Sequence, residues 1–155
     1  MKIRADEHVS PEIVHAICKI AISSGFELTS IFTSGDRGTS DTHWVSKFGR
    51  EGGIAILTAD TDFLKRPHQV MAIREAGLII VHLPSKWANA PIHLQASHIL
   101  AWWRRIEHSI ANGKPGDCWQ PEWNVNETGK LKQIPIDYEE FRKKLKKANR
   151  PSRRG

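Results

Sequence analysis

Two apolar runs, Ile54-Ala55-Ile56-Leu57 and Leu78-Ile79-Ile80-Val81, show no alternation between apolar and polar residues. A strand with one face in water alternates, so unbroken runs of this length belong to strands covered on both faces. The stretch between them, Pro67 to Ala76, reads as a helix closed by Gly77. Strand, helix and strand in this order define a parallel sheet with right-handed crossovers, an α/β fold with helices on both sides of the sheet.

The segments before these runs extend the pattern. Lys2 to Ala5 reads as a short strand that stops at Asp6-Glu7. Ser10-Pro11-Glu12 marks a helix start, with Ser as N-cap, Pro at the first helical position and an acid in the first turn. Ile13, Ala16, Ile17, Ile20 and Ala21 give that helix an apolar face, with Gly25 as its stop. Phe26 to Thr33 reads as a second strand and Ser34 to Thr39 as a loop. Ser40-Asp41 caps a further helix that buries Trp44, Val45 and Phe48 and ends at Gly52-Gly53.

After Pro84 the pattern changes. Pro91 to Asn112 is a longer helix with a stripe of Ile92, Ala96, Ile99, Trp103, Ile106 and Ile110. Trp119 to Val125 and Lys130 to Ile136, around Asn126-Glu127-Thr128-Gly129, read as a β-hairpin. Asp137 and Glu140 form a capping box for a last, basic helix whose inner face is Tyr138, Phe141 and Leu145. Trp102, Trp103, Trp119 and Trp123 either pack this half onto the sheet or stack on bases.

A chain of 155 residues makes one domain. It has no apolar run long enough to span a bilayer and no secretory pattern behind Met1, so a cytoplasmic protein without membrane contact is expected. Cys18 and Cys118 have neither zinc-site nor disulfide-framework spacing. The net charge of +6 divides unevenly. Residues 141–155 hold eight Lys/Arg and no acid, while the first 140 residues carry 15 Lys/Arg against 17 Asp/Glu, a net of −2. Basicity is a property of the tail. Arg142, Lys143, Lys146, Lys147 and Arg150 are its candidate RNA-binding residues, acting through counterion release; the alternative is a solvated tail.

The acids of the body collect where an open parallel sheet binds its ligands, outside the carboxyl ends of the strands. Asp6 and Glu7 follow the first strand, Asp60 and Asp62 follow Ile54–Leu57, and Asp41 opens the helix leading into that strand. Converging carboxylates repel one another unless a cation is present, and a hard divalent ion with oxygen ligands is the usual one. Such an ion activates water and offsets phosphoryl charge, which indicates phosphodiester hydrolysis. Taken singly, Asp41 is a charge at a helix N-terminus, Asp60 and Asp62 are turn formers, and Glu7 is a solvent-facing or capping residue. His8 and His43 flank the rim as candidate proton donors, Thr58 and Thr61 as residues that orient an acid or water. Lys65, Arg66 and Arg37 are loop cations within reach of a phosphate, or simply solvated.

Ile3-Arg4-Ala5-Asp6-Glu7-His8, the Pro-started helix ending at Gly25, Ser40-Asp41-Thr42-His43-Trp44 and Leu57-Thr58-Ala59-Asp60-Thr61-Asp62-Phe63 together resemble the PIN-like domains, and within them the stand-alone toxins of the VapC type. The resemblance covers about residues 1–84. It implies a parallel-sheet α/β/α sandwich, with the C-terminal helix, hairpin and basic helix appended to it, and a domain at 1–140 followed by the tail at 141–155. It also implies a magnesium- or manganese-dependent ribonuclease paired with an inhibiting antitoxin. Asp6, Asp41, Asp60 and Asp62 would be the metal-binding and catalytic acids, with Glu7, His8, Thr58 and Thr61 around them. Related sequences often have Asn where this chain has His8, and Glu where it has Asp41.

Two other readings stand beside this one. A non-catalytic nucleic-acid or protein-binding module would use the tail alone. A phosphatase of the haloacid dehalogenase type would use Asp60 as nucleophile, although the acids do not directly follow the apolar strand and Phe63 takes the place of a small residue. Dimerisation through the Trp-bearing helix is a further expectation.

Overall fold

A computed structural model describes residues 1–35, 38, 40–122, 124 and 129–149. Arg37, Trp123, Asn126-Glu127-Thr128, where the hairpin turn is expected, and the residues from Arg150 onward lie outside the described residues. Within them six strands form one sheet: β1 (Lys2–Ala5), β2 (Glu27–Ser30), β3 (Gly53–Thr58), β4 (Ile79–His82), β5 (Cys118–Gln120) and β6 (Lys132–Gln133). Their order is β2-β1-β3-β4-β5-β6, parallel from β2 to β5, with β6 antiparallel to β5. The helices are α1 (Pro11–Ile20), α2 (Asp41–Arg50), α3 (Pro67–Glu75), the single turn α4 (Ser85–Ala88), α5 (Ile92–Asn112) and α6 (Tyr138–Ala148).

The two apolar runs are central because both of their faces are covered. Ala55 and Leu57 of β3 and Ile79 and Val81 of β4 point into one core with Ile13 and Ile17 of α1 and Trp102, Trp103 and Ile106 of α5. Ile56 and Ile80 point the other way, onto Trp44, Val45 and Phe48 of α2 and Ile73 of α3. Alternating side chains therefore enter two cores, and neither face needs a polar residue. Helices lie on both sides of the sheet, as expected for an α/β/α sandwich.

Among the described residues, side-chain caps close three of the six helix starts. The Ser10 side chain accepts from the Glu12 N–H, Ser40 from His43 N–H, and Asp137 from Glu140 N–H. Gly49 of α2 lies close against the end of α3: a Cβ there would stand 2.9 Å from the Cβ of Ala76.

Several expectations change in detail. The first helix stops at Ile20, well before Gly25, and the second strand covers only Glu27–Ser30. The hairpin strands are short, and β5 is the fifth parallel strand of the main sheet instead of part of an appended unit, pairing Ile80 with Cys118 and Val81 with Trp119. Ile92, placed on the buried stripe of α5 by its spacing, is 45% exposed. Trp102 and Trp103 are fully buried, so they pack the core and do not stack on bases. Among the described residues, no helix is long and apolar enough to cross a membrane.

Candidate active site

The strand order creates the site. From β1 the chain crosses by α1 to β2 on one side, and by α2 it later returns to β3 on the other. The crevice at the carboxyl ends of β1 and β3 is therefore a topological switch point, where open α/β sheets bind ligands. Ala5 pairs with Leu57 in this register, and the Asp6 N–H continues the ladder to the Leu57 carbonyl at 3.0 Å. Asp6 leaves β1 here, and Asp60 follows β3 two residues past its end.

Both carboxylates are buried, Asp6 at 3% and Asp60 at 5% exposure. Thr58, the last residue of β3, joins them. Its hydroxyl donates to Asp6 Oδ2 and accepts from the Asp60 N–H at 3.1 Å. The other Asp6 oxygen accepts from the His8 N–H at 2.9 Å, and Asp60 Oδ1 accepts from the Asp62 N–H at 2.9 Å. These are Asx-type turns, which explains why an Asp sits two residues before each donor. Burial pushes the Asp6 carboxyl up to about 6, with the nearby Asp60 charge adding to the rise; the Thr58 and His8 N–H hydrogen bonds and the His8 ring oppose it.

Asp60 Oδ2 has two cationic neighbours. The Arg66 guanidinium donates to it directly, and His8 Nε2 stands 3.5 Å away. Arg66 thus turns inward onto an acid, and Lys65 pairs with Asp62 at 3.3 Å; both loop cations are engaged with carboxylates. The backbone of Asp60 is held as well. Its carbonyl is 2.8 Å from Nε2 of the buried His82, whose Nδ1 lies 3.3 Å from the Gln120 side-chain amide. If Gln120 donates its amide proton, His82 carries its own on Nε2 and donates to Asp60.

The remaining expected residues lie farther out. The Asp62 carboxylate is exposed beside Lys65. Asp41 accepts from the Trp44 indole N–H at 3.1 Å, three residues along α2. Glu7 is exposed at 3.7 Å from His8 Nε2. Thr61 and His43 are exposed. Arg142 is paired with Glu139 at 2.8 Å and Lys144 with Glu140 at 3.5 Å, while Lys143, Lys146 and Lys147 are exposed on α6. Among the described residues no three His, Cys, Asp or Glu side chains are grouped so as to hold a metal ion. Asp6 and Asp60 are the pair that Thr58 joins; the Asp62 and Asp41 side chains have local partners, Lys65 and the Trp44 indole.

This pair fits a hard divalent cation in its donor chemistry. Both are oxygen ligands with their other lone pairs tied to hydrogen-bond donors, and the raised Asp6 carboxyl reflects negative charge that burial disfavours and a cation would offset. His82 and Gln120 were not singled out by sequence reasoning. A lone His ending an apolar strand carries no signal until the strand order sets it behind Asp60.

The comparisons agree with this arrangement. A family model described as a PIN-like domain matches residues 1–85, which contain both buried carboxylates and Thr58. No curated protein and no solved structure gave a match. The matched segment spans more than half of the chain, and with two buried aspartates at the switch point of a largely parallel sheet, the chain belongs to the PIN-like domain family, whose members are commonly nucleases and generally depend on a divalent metal.

Proposed function

We propose that this protein is a magnesium- or manganese-dependent endoribonuclease, acting as the toxin of a type II toxin–antitoxin pair of the VapC kind. The observation that carries the reading is the pairing of Asp6 and Asp60, both buried, across the ends of adjacent parallel strands. Asp6 and Asp60 would hold the ion, and the more exposed Asp62 and Asp41 would complete the acidic rim. When bound, the ion supplies an activated water and offsets charge on the scissile phosphate.

The chain's own residues have distinct tasks in this reading. The Thr58 hydroxyl holds both acids in place, donating to the Asp6 carboxylate and accepting from the Asp60 N–H. His82 keeps the Asp60 backbone fixed from the floor of the crevice. His8, half-exposed and 3.5 Å from Asp60, is placed to pass a proton to the leaving oxygen. Arg66 neutralises Asp60 in the absence of other cations, and its exposed half is available to a phosphate once Asp60 binds metal.

The basic face of α6 brings substrate to an otherwise acidic rim. The helix begins with Tyr138 against Arg74, in the last turn of α3, and packs on α3, whose first residue follows Arg66. An antitoxin partner and a homodimer belong to the same reading, in a cytoplasmic setting.

The test is cleavage of an unstructured RNA in the presence of Mg²⁺ or Mn²⁺, with EDTA and Asp60→Asn as controls. Metal-dependent cleavage abolished by Asp60→Asn supports the proposal. RNA binding without hydrolysis in any divalent metal overturns it in favour of a non-catalytic PIN-like module, which the Arg66–Asp60 ion pair favours. Co-purification with the product of an adjacent small reading frame tests the toxin assignment.

A further inference from the structure

A second concave site lies away from the carboxylates, between the C-terminal half of α5 and the β5–β6 edge. It is a cavity of about 310 Å³, lined by Arg104, Arg105, His108, Asn112, Trp119 and Lys130, with Leu131 at its apolar end. Arg104 reaches Ser23 in the turn that leads into β2, and the neighbouring Gly113 lies against Ile79, the first residue of β4. The cavity therefore opens toward the amino ends of the strands, whereas Asp6 and Asp60 follow their carboxyl ends. It also lies wholly outside residues 1–85.

The lining has a definite chemistry. Among the described residues it includes three permanent cations and no acid. The acid of this helix turn, Glu107, faces the core, where it accepts from Ser23 N–H at 2.8 Å and from the Trp103 indole at 3.0 Å. Two of the cations are held in position. The Arg105 guanidinium lies over the Trp102 ring, 3.5 Å from its centroid, and donates to the Gly129 carbonyl at 3.2 Å. Arg104 donates to Ser23 Oγ at 2.8 Å. Side chains fixed in this way lose less freedom when a ligand binds than solvated surface cations do.

Trp119 and Leu131 supply flat and apolar wall, and His108 and Asn112 supply polar groups at the rim. Cations alone would take any anion. Cations beside an indole, in a volume at the lower end of the ~300–1,000 Å³ of small-ligand pockets, select an anion that carries a flat ring. We propose that this cavity binds one nucleotide, its phosphate among Arg104, Arg105 and Lys130 and its base against Trp119. The nucleotide is either free or a single unit of an RNA strand, and the site is independent of the nuclease reading.

The test is calorimetric titration of the full chain in EDTA, with AMP, UMP, adenosine, inorganic phosphate and 5′-phosphorylated pentauridylate as probes. The expected result is saturable one-to-one binding of a nucleotide, about tenfold tighter than adenosine or phosphate. It should weaken by about tenfold in both Lys130→Glu and Arg105→Gln and stay unchanged in Asp60→Asn. Equal dependence on these variants for mononucleotide and pentamer identifies free nucleotide as sufficient; dependence for the pentamer alone identifies a strand. Lys130 is exposed, so Lys130→Glu is the deciding variant if circular dichroism finds Arg105→Gln unfolded. The proposal is overturned if neither a mononucleotide nor the pentamer saturates, if phosphate binds as tightly, if the pocket variants bind both like the parent, or if Asp60→Asn abolishes binding. Because EDTA removes the metal and Asp60→Asn removes cleavage, failure here leaves the nuclease reading untouched, and the converse holds.

Discussion

Thr58 donates its hydroxyl proton to Asp6 across the β1–β3 boundary, joining two residues 52 positions apart. The same hydroxyl accepts from the Asp60 N–H, so one oxygen sets the spacing of both buried carboxylates. Thr58→Val keeps the shape and removes both bonds. It should lower stability by about 1–3 kcal/mol, because a buried carboxylate oxygen and a buried N–H lose their partner. Urea unfolding in EDTA reads this loss, and Mn²⁺ titration should show weaker binding in the same variant.

The buried Asp6 carboxyl predicts a pH dependence of known sign. Its carboxyl stands at about 6 in the folded protein and at 3.8 when unperturbed. Between these values the folded state binds more protons than the unfolded state, so the contribution of Asp6 to stability is present below about pH 4 and is lost as pH rises through 6. The total is roughly 3 kcal/mol. In EDTA, the stability difference between the parent and Asp6→Asn should shift in favour of the variant across that window. A difference that does not change between pH 4 and 7 would contradict the burial argument.

Arg66 competes with any cation for Asp60. Arg66→Gln should tighten Mn²⁺ binding several-fold, as measured by calorimetry, while lowering the metal-free stability by on the order of 1–3 kcal/mol through loss of a charged hydrogen bond. An unchanged Mn²⁺ affinity would mean that Arg66 does not occupy the metal's place.

Glu107 tests whether an acid outside the site is structural. It is 4% exposed, and Ser23 and the Trp103 indole donate to it. Glu107→Ala should cost about 2–4 kcal/mol by leaving the buried Trp103 indole and the half-buried Ser23 donors without an acceptor. Mn²⁺ affinity, measured on the folded variant, should be unaffected.

Removal of residues 142–155 should weaken RNA binding and flatten its salt dependence, since the deleted segment carries eight Lys/Arg. Mn²⁺ affinity should be retained. Filter binding over a range of salt concentrations separates this outcome from a solvated tail, which would leave the slope unchanged.

Much of the scaffold was legible from local chemistry. Ser10, Ser40 and Asp137 cap their helices through bonds spanning two or three residues, and such bonds depend on little beyond the segment itself. The runs at 54–57 and 78–81 require cover on both faces because neither contains a polar residue, and that requirement alone demands helices on both sides of a parallel sheet. Asp6 after β1 and Asp60 after β3 mark the candidate rim for the same reason: strand ends are visible in the pattern.

Which acids meet was decided only in three dimensions. Asp6 and Asp60 become neighbours because β3 pairs with β1 while β2 takes the other edge, a non-local choice that no helix cap or hydrophobic period encodes. The same long-range packing sets His82 behind Asp60, turns Arg66 onto it, and leaves Asp62 and Asp41 with local partners. It also buries Trp102 and Trp103, adds β5 to the main sheet, and opens the cationic cavity beside it. Sequence by itself determined the layers and the rim, since burial and capping act over one or two turns. The tertiary structure decided the constellation, since a contact between residues more than fifty positions apart depends on how every strand between them is placed.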